Sequence, residues 1–483
     1  MAIFKYTAQR GLSLLGDEKG AWMADTTAET LVGSELVTNG DFATDTDWIK
    51  STGWTIASGV ASHVAGASGY LQQSSILPPA GTSILVTFTI SNITAGGVSI
   101  FATWGVRTPY VYANGTYTFS LVVGADTNLY IYALSTFAGD IDNVSVRLAV
   151  PDLSTANNGL GVYGSITKSA VATGAGLMGY SGFSASNYLE QPYNSDLDFG
   201  TGDFCFMGWS NQSPTTSYEM ILSRGYYSGG WVGALIQLFY RPDGALRFIV
   251  SDDGGTTIDS ATTSNVYDDS LPHHVAALRR GNTFHVYVDG ALVISVLVNN
   301  AAGSLNNANA SLSFGIDQGG ASYANNNNGL SLWRAFAYAP TAAQIKAIYN
   351  KEKHLFKKYS TYTQEGVQRT LTIPLQSADR SRSVVKNETV TLSGKRVSLV
   401  HRNEYDWSLG TDIVHRTDST TFPLLSELDE LVYSTQGSEV FTVDIYEDGT
   451  DTAMVMKSTK VADARLSKKD MFTATLKMQE SNQ

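Results

Sequence analysis

The chain has 483 residues, too many for one hydrophobic core and enough for three domains of ~150 residues. With 43% hydrophobic and 16% charged residues it can fill real cores, so wholesale disorder is excluded. Residues 1–350 hold 25 acidic against 14 basic side chains and residues 351–483 hold 19 against 18, so the front two-thirds repels phosphate backbones and nucleic acid is not expected as a partner.

The lone cysteine, Cys205, sits in the apolar run DFCFMGW and reads as a small buried hydrophobe. No apolar run reaches the 18 residues of a membrane span. The N-terminus, MAIFKYTAQRGLSLLGDEKG, has no signal-peptide pattern, so a protein made and kept in the cytoplasm is expected. Abundant Gly (45) and Tyr (25) favour short strands and turns over long helices.

Residues 1–34 show no clear period and read as an arm that docks elsewhere. Between 35 and 150 the runs SILVTFTISNI, GVSIFATW, GTYTFSLVV, NLYIYAL and DNVSVRL alternate with period 2, separated by the turn signals PPAG, TAGG and YANG. That pattern predicts an antiparallel sandwich. The segment opens with LVTNGDF (36–42) and closes with IDNVSV (141–146). In both motifs it resembles the family 4/9-type carbohydrate-binding modules and their galactose-binding-like relatives, which implies a jelly roll.

Pro151 opens PDLSTANNGLG, which reads as a linker, and 151–355 give a second all-β unit. Asp289-Gly290 between FHVYV and ALVISV is a hairpin signal, and Thr341 before AAQIKAIYNKEK is a helix N-cap. HHVA (273–276), YVDG (287–290) and the late strand with its helix make this unit resemble the laminin-G/concanavalin A-like jelly roll. From 360 to 483 the texture changes to strands such as RTLTIPLQ and SVVKNETVTLSG around LLSELDELVYS, an amphipathic helix with Leu425, Leu428, Leu431 and Val432 on one face. This part, through STQGSEVFTVDIYEDG, resembles the C-terminal domains of phage tail-associated structural proteins. The fold class expected is therefore mainly β: two jelly-roll β-sandwiches in tandem and a small α+β C-terminal domain for virion attachment.

Catalytic chemistry is not expected. Retaining glycosidases on a concanavalin A-like sheet need two carboxylates on one strand face, about 5–5.5 Å apart. No E-x-D-x-E string occurs in 160–350, and ELDE (427–430) reads as a solvated helix face. His273 and His274 are adjacent, so on a strand they point to opposite faces and cannot share a metal. No nucleophile elbow or phosphate loop is present.

The carbohydrate-module resemblance implies a structural Ca²⁺ between the opening and closing motifs, mapped here to Asp41 and Asp142. Ala43 stands where the family often has an acid, and the same two residues can hold turns through Asx hydrogen bonds instead. In the second unit Leu330-Ser331-Leu332-Trp333 lacks the acids of a family-type calcium site. Glycans stack their C–H faces on aromatic rings. The candidates are Trp104, Tyr110 and Tyr112 in the first unit and Tyr226, Tyr227 and Trp231 in the second, with packing as the competing role. The loop ASYANNNNG (321–329) reads as a loop tip.

Together these readings point to a bacteriophage virion structural protein of the tail or tail fibre, not an enzyme. It would bind other virion proteins and itself, as a trimer or hexamer, and contact host-surface glycans. The alternatives are a capsid decoration protein and a non-catalytic carbohydrate-binding protein.

Overall fold

The computed structural model describes residues 2–8, 12–23, 35–103, 105–156, 158–227, 230–256, 258–298, 303–317, 329–357, 368–390, 396–411, 414–415, 425–435, 440–457, 462–465 and 471–481. The fold is mainly β, and among the described residues the α-helices are Ala342–Glu352 and Leu425–Ser434. The chain divides into two compact units. One collects Met1–Ser13, Ala170–Leu177 and Ala347–Gln483, and the other Leu14–Ser169 and Met178–Lys346.

The larger unit contains two sandwiches. In the first, a five-stranded sheet runs in the order Ile49–Lys50, Gly69–Gln73, Leu129–Ala133, Val98–Thr103, Val106–Arg107. Its inner face packs on the strands Gly115–Val122, Ser83–Ala95 and Ala138–Val150 through Leu71, Ile100 and Ile131 against Val86, Phe88 and Ile90. The alternation expected from sequence is present: Leu129, Ile131 and Ala133 are buried while Tyr130 and Tyr132 between them are only partly so. The opening and closing motifs lie side by side. Leu36 N–H donates to Val146 O (2.9 Å), and Val144 N–H donates to Gly40 O (2.9 Å). A side chain at Gly40 would stand 2.0 Å from Val144 O, so glycine alone permits this approach.

In the second sandwich, Phe204–Asn211 lies between Gly329–Phe336 and Pro272–Arg280, followed by Thr283–Val288 and Ala291–Leu297. The facing sheet runs Leu160–Tyr163, Tyr188–Gln191, Ser311–Phe314, Glu219–Gly225, Leu235–Tyr240, Ala245–Ser251, Asp259–Val266. Phe204, Phe206, Phe248, Phe314 and Trp333 fill the space between them. Asp289 and Gly290 both take positive φ (51° and 76°), the turn that suits a tight hairpin. Thr341 caps its helix reciprocally: Gln344 N–H donates to Thr341 Oγ1 (3.2 Å) and Thr341 N–H to Gln344 Oε1 (2.9 Å).

Two features differ from the sequence reading. The segment PDLSTANNGLG joins two strands that pair with each other, Ala149 with Gly161 and Val150 with Leu160. One continuous sheet therefore passes from the first sandwich into the second. Its loop also holds a strand from the front of the chain. Glu18–Trp22 pairs along Gly329–Phe336, with Trp22 opposite Trp333. Trp22 is fully buried, meets Phe314 edge-on at 5.7 Å and donates from Nε1 to Asn158 O (2.6 Å). Asp152 accepts from the backbone of Ala21 (2.8 Å), Ser154 (2.9 Å) and Asn158 (2.5 Å). Burial raises its carboxyl pKa above the ordinary value, against these hydrogen bonds.

In the smaller unit, one sheet runs Gln368–Ile373, Ala2–Thr7, Val440–Asp444, Thr452–Met456, Met471–Glu480, Arg396–Thr411, Leu375–Val390. The first strand of the chain is thus an interior strand here, with Phe4 stacked on Phe441 at 6.4 Å. Leu428, Leu431 and Val432 of the helix are buried in its core, while the side chain of Leu425 lies outside the described residues. The acidic string 427–430 is not a solvated face throughout. Asp429 is exposed, but Glu430 is fully buried, with Oε1 3.7 Å from Arg369 Nε. The helix presents 428, 431 and 432 on one side, and position 430, which 3.6 residues per turn places outside that stripe, is buried beside a cation on the sheet.

Candidate ligand-binding surfaces

Strand alternation sends every second residue of the five-stranded sheet away from the core. Register then aligns Ile49, Gln72, Tyr130, Phe101 and Arg107 in one row across all five strands. Tyr70 and Tyr132 stand opposite each other in the neighbouring row. The rings interlock edge to face: Tyr70 with Tyr130 at 5.7 Å and Phe101 with Tyr132 at 5.5 Å. Tyr70, Phe101, Tyr130 and Tyr132 line a shallow hollow. Four interstrand steps of ~4.8 Å make the row about 19 Å long. Polar groups border it: Tyr130 Oη donates to Asp126 Oδ2 (3.3 Å), and Gln72 Nε2 donates to Ser74 Oγ (3.0 Å).

The sequence candidates of this module meet that surface at one end. Arg107 lies over the Phe101 ring (5.5 Å to the centroid) and over the Tyr110 ring (4.7 Å), joining the two. Tyr112 follows at 6.4 Å from Tyr110 and is 62% exposed. Trp104 lies outside the described residues. The centre of the surface was missed because tyrosine is as common in cores as at rims. The signal that could have found it is LYIYA, where Leu, Ile and Ala already claim the buried face.

In the second sandwich Tyr227 and Trp231 bridge across a loop with their rings 5.4 Å apart and nearly perpendicular. Trp231 crosses Gly225, where any Cβ would meet its ring at 2.7 Å. Tyr226 is half-buried, and its carbonyl accepts from Val232 N–H (2.9 Å). A buried network supports this loop. Arg224 pairs with Asp198 (2.6 Å), and Asp198 also accepts from Asn307 N–H (3.1 Å). Asn307 Nδ2 donates to Val232 O (2.8 Å) and Ala234 O (3.1 Å). The half-exposed Tyr193, not anticipated from sequence, donates to the same Asp198 carboxylate (2.8 Å). The loop candidate at 321–329 has residues 321–328 outside the described region.

On the outer face of that sandwich's sheet, register aligns Gly161, Glu190, Ser313, Ser223, Gln237, Ile249 and Ser260. Glu190 is the one carboxylate in this row, and it accepts from Ser313 Oγ (3.3 Å). Cys205 is fully buried, and burial pushes its thiol above the ordinary range.

His273 and His274 take opposite faces, as their adjacency predicts. His273 lies between Asp289 (2.8 Å) and Asp269 (3.1 Å). Burial works against its charged form, but these two carboxylates outweigh it and the imidazole pKa is raised. His274 is fully buried, and burial, with Arg334 adding to it, pushes it down to about 3.

The calcium candidates are committed locally. Asp41 Oδ1 accepts from Ala43 N–H (3.3 Å), and Asp142 accepts from Asn143 N–H (2.6 Å) and Nδ2 (3.1 Å). Among the described residues no three His, Cys, Asp or Glu side chains gather where they could hold a metal ion. Each of the two carboxylates thus closes its own turn.

Residues 183–346 match a family model described as the concanavalin A-like lectin/glucanases superfamily (Laminin_G_3), which bears out the laminin-G-like expectation over that span. No curated protein matches the chain. Among solved structures, the binding domain of Paraclostridial Mosquitocidal Protein 1 is 12% identical, covering 67% of this chain and 70% of its own, with a TM-score of 0.36. The receptor-binding domain of botulinum neurotoxin C/D mosaic serotype is 10% identical over 69% of this chain and 93% of its own, with a TM-score of 0.34. A heptameric SAP-like pentraxin from Limulus polyphemus is 11% identical over 37% of this chain and 91% of its own, with a TM-score of 0.26.

Proposed function

We propose that this chain is a glycan-binding structural protein that binds without turning its ligand over. The observation that carries this reading is the cluster of Tyr70, Phe101, Tyr130 and Tyr132 in two neighbouring rows on the outer face of the first sandwich. Tyr70, Tyr130 and Tyr132 are partly exposed around one hollow, with Phe101 buried beneath Arg107, on a face turned away from the core. Such a platform suits the C–H faces of a sugar chain. Non-catalytic action is supported by the single carboxylate, Glu190, in the outer row of the second sandwich, where hydrolysis needs a pair.

We assign the chain to a bacteriophage particle, in the tail or a tail fibre, with the smaller unit as the attachment body. This rests on the resemblance of 360–483 to tail-associated domains. It is supported by the way Ala2–Thr7 is built into the same sheet as the C-terminal strands. Display in many copies would turn weak single contacts into firm adhesion. A second reading, of the sandwiches as a rigid spacer, is favoured by the sheet they share.

The full chain applied to a glycan array tests the proposal, alongside Tyr130→Ala and Tyr132→Ala, with circular dichroism to confirm that both variants fold. Binding by the parent and a more than tenfold loss in either variant is expected, about 1.4 kcal/mol or more. A parent that binds no glycan, or variants that bind like the parent, would leave only the spacer role.

A further inference from the structure

The first module, residues 35–150, has three basic side chains against seven acidic ones, a net charge of −4. Two of the three cations are neutralised: Lys50 pairs with Asp45, and Arg147 lies 3.5 Å from Glu35. Arg107 is the exception. It is exposed, it has no carboxylate partner among the described residues, and its guanidinium lies over two rings at the end of the row across the five-stranded sheet. A mobile surface arginine would lose side-chain entropy on docking an anion, whereas one already held between Phe101 and Tyr110 loses less. In an acidic module, an unpaired cation stacked on Phe101, one of the rings that line the shallow hollow, is placed to discriminate by charge.

Resting on the glycan-binding reading, we infer that the ligand of the aromatic row is an anionic glycan, with a carboxylate or sulfate on the sugar docking on Arg107 while the rings carry its neighbours. The planar guanidinium offers parallel N–H donors that match two oxygens of either group. The row extends from Arg107 to the exposed Ile49 with no second unpaired cation among the described residues, so the chain of sugars is met by one charge and several rings.

The test presents the full chain with matched pairs of oligosaccharides: oligouronates with their carboxyl-reduced counterparts, and sulfated oligosaccharides with their desulfated ones. Calorimetry follows each between about 0.05 and 0.5 M NaCl, the range over which surface charges become screened. The anionic member of a pair is expected to bind at least about tenfold tighter at low salt, and the advantage to shrink at high salt. Arg107→Gln should erase the advantage of the anionic member over the neutral one, while Arg107→Lys should recover only part of it. Tyr130→Ala should weaken both members alike. Which pair shows the gap separates carboxylate from sulfate. Equal binding of both members, or an Arg107→Gln variant that keeps the gap, overturns the inference while leaving glycan binding intact. No binding to any member would overturn both readings.

Discussion

The two sandwiches share a sheet yet solve their surfaces in opposite ways. The first closes its core entirely from its own segment, residues 37–146, and spends its aromatic surplus on an outer face. The second imports Trp22 and Met23 from the front of the chain to complete its core, and its outer row holds no aromatic ring and is itself buried at Ser223, Ser313, Gln237 and Ile249. The difference teaches that a module boundary drawn by sequence texture marks a change of pattern and need not enclose every residue of a core.

The sharpest way to break the contrast is Trp22→Ala. Removing a fully buried tryptophan costs about 3–5 kcal/mol. The loss should appear in the second sandwich alone, read as early hydrogen exchange in Phe204–Asn211 with the exchange of Gly69–Gln73 unchanged. Equal loosening of both would mean that the two modules unfold as one.

Next comes pH, acting through the second sandwich's adjacent histidines. The raised His273 stabilises the fold fully below about pH 6.5 and loses that contribution as pH rises through its higher folded value. His274, held near 3, acts in the other direction. Between pH 6.5 and about 3 the unfolded chain takes up a proton that the folded chain refuses, so stability falls as acid is added. Denaturant midpoints of His273→Asn should lose the decline on the alkaline side, and those of His274→Gln the corresponding part of the acid-side decline. Profiles parallel to the parent's would show that neither ring titrates as the geometry requires.

The smallest effect belongs to the first sandwich. Asp142→Asn keeps one acceptor for the Asn143 turn and should cost about 0.5–1.5 kcal/mol. Added calcium should leave the melting temperature of the parent unmoved. A calcium-dependent rise that Asp142→Asn abolishes would restore an ion to this junction.

Local chemistry was legible in the sequence wherever a short pattern decides the outcome. Asp289-Gly290 gave its turn, Thr341 its cap, and the alternating runs their strands. The laminin-G-like motifs placed the second sandwich. What stayed hidden depends on partners far apart in the chain. Glu18–Trp22 is five residues with no period of its own, and its partner strand begins at 329. Loop 151–159 carries every mark of a linker because its Asp and Asn residues serve hydrogen bonds to another segment as readily as to water. At the candidate surface, the half-buried Tyr110 and the exposed Tyr112 at its end could be guessed from their loop. The central rings could not, since only register shows that Tyr130 and Phe101 stand in line.

The strand pairing of Val150 with Leu160 has a mechanical meaning. A flexible tether would let each module swivel and search for its own foothold. A backbone ladder passing from one to the other forbids that swivel, so both present their faces at a constant pitch and any tug on one arrives at the other as torsion. On the glycan-binding reading, the aromatic surface of the first sandwich is thereby held at a fixed angle to the second.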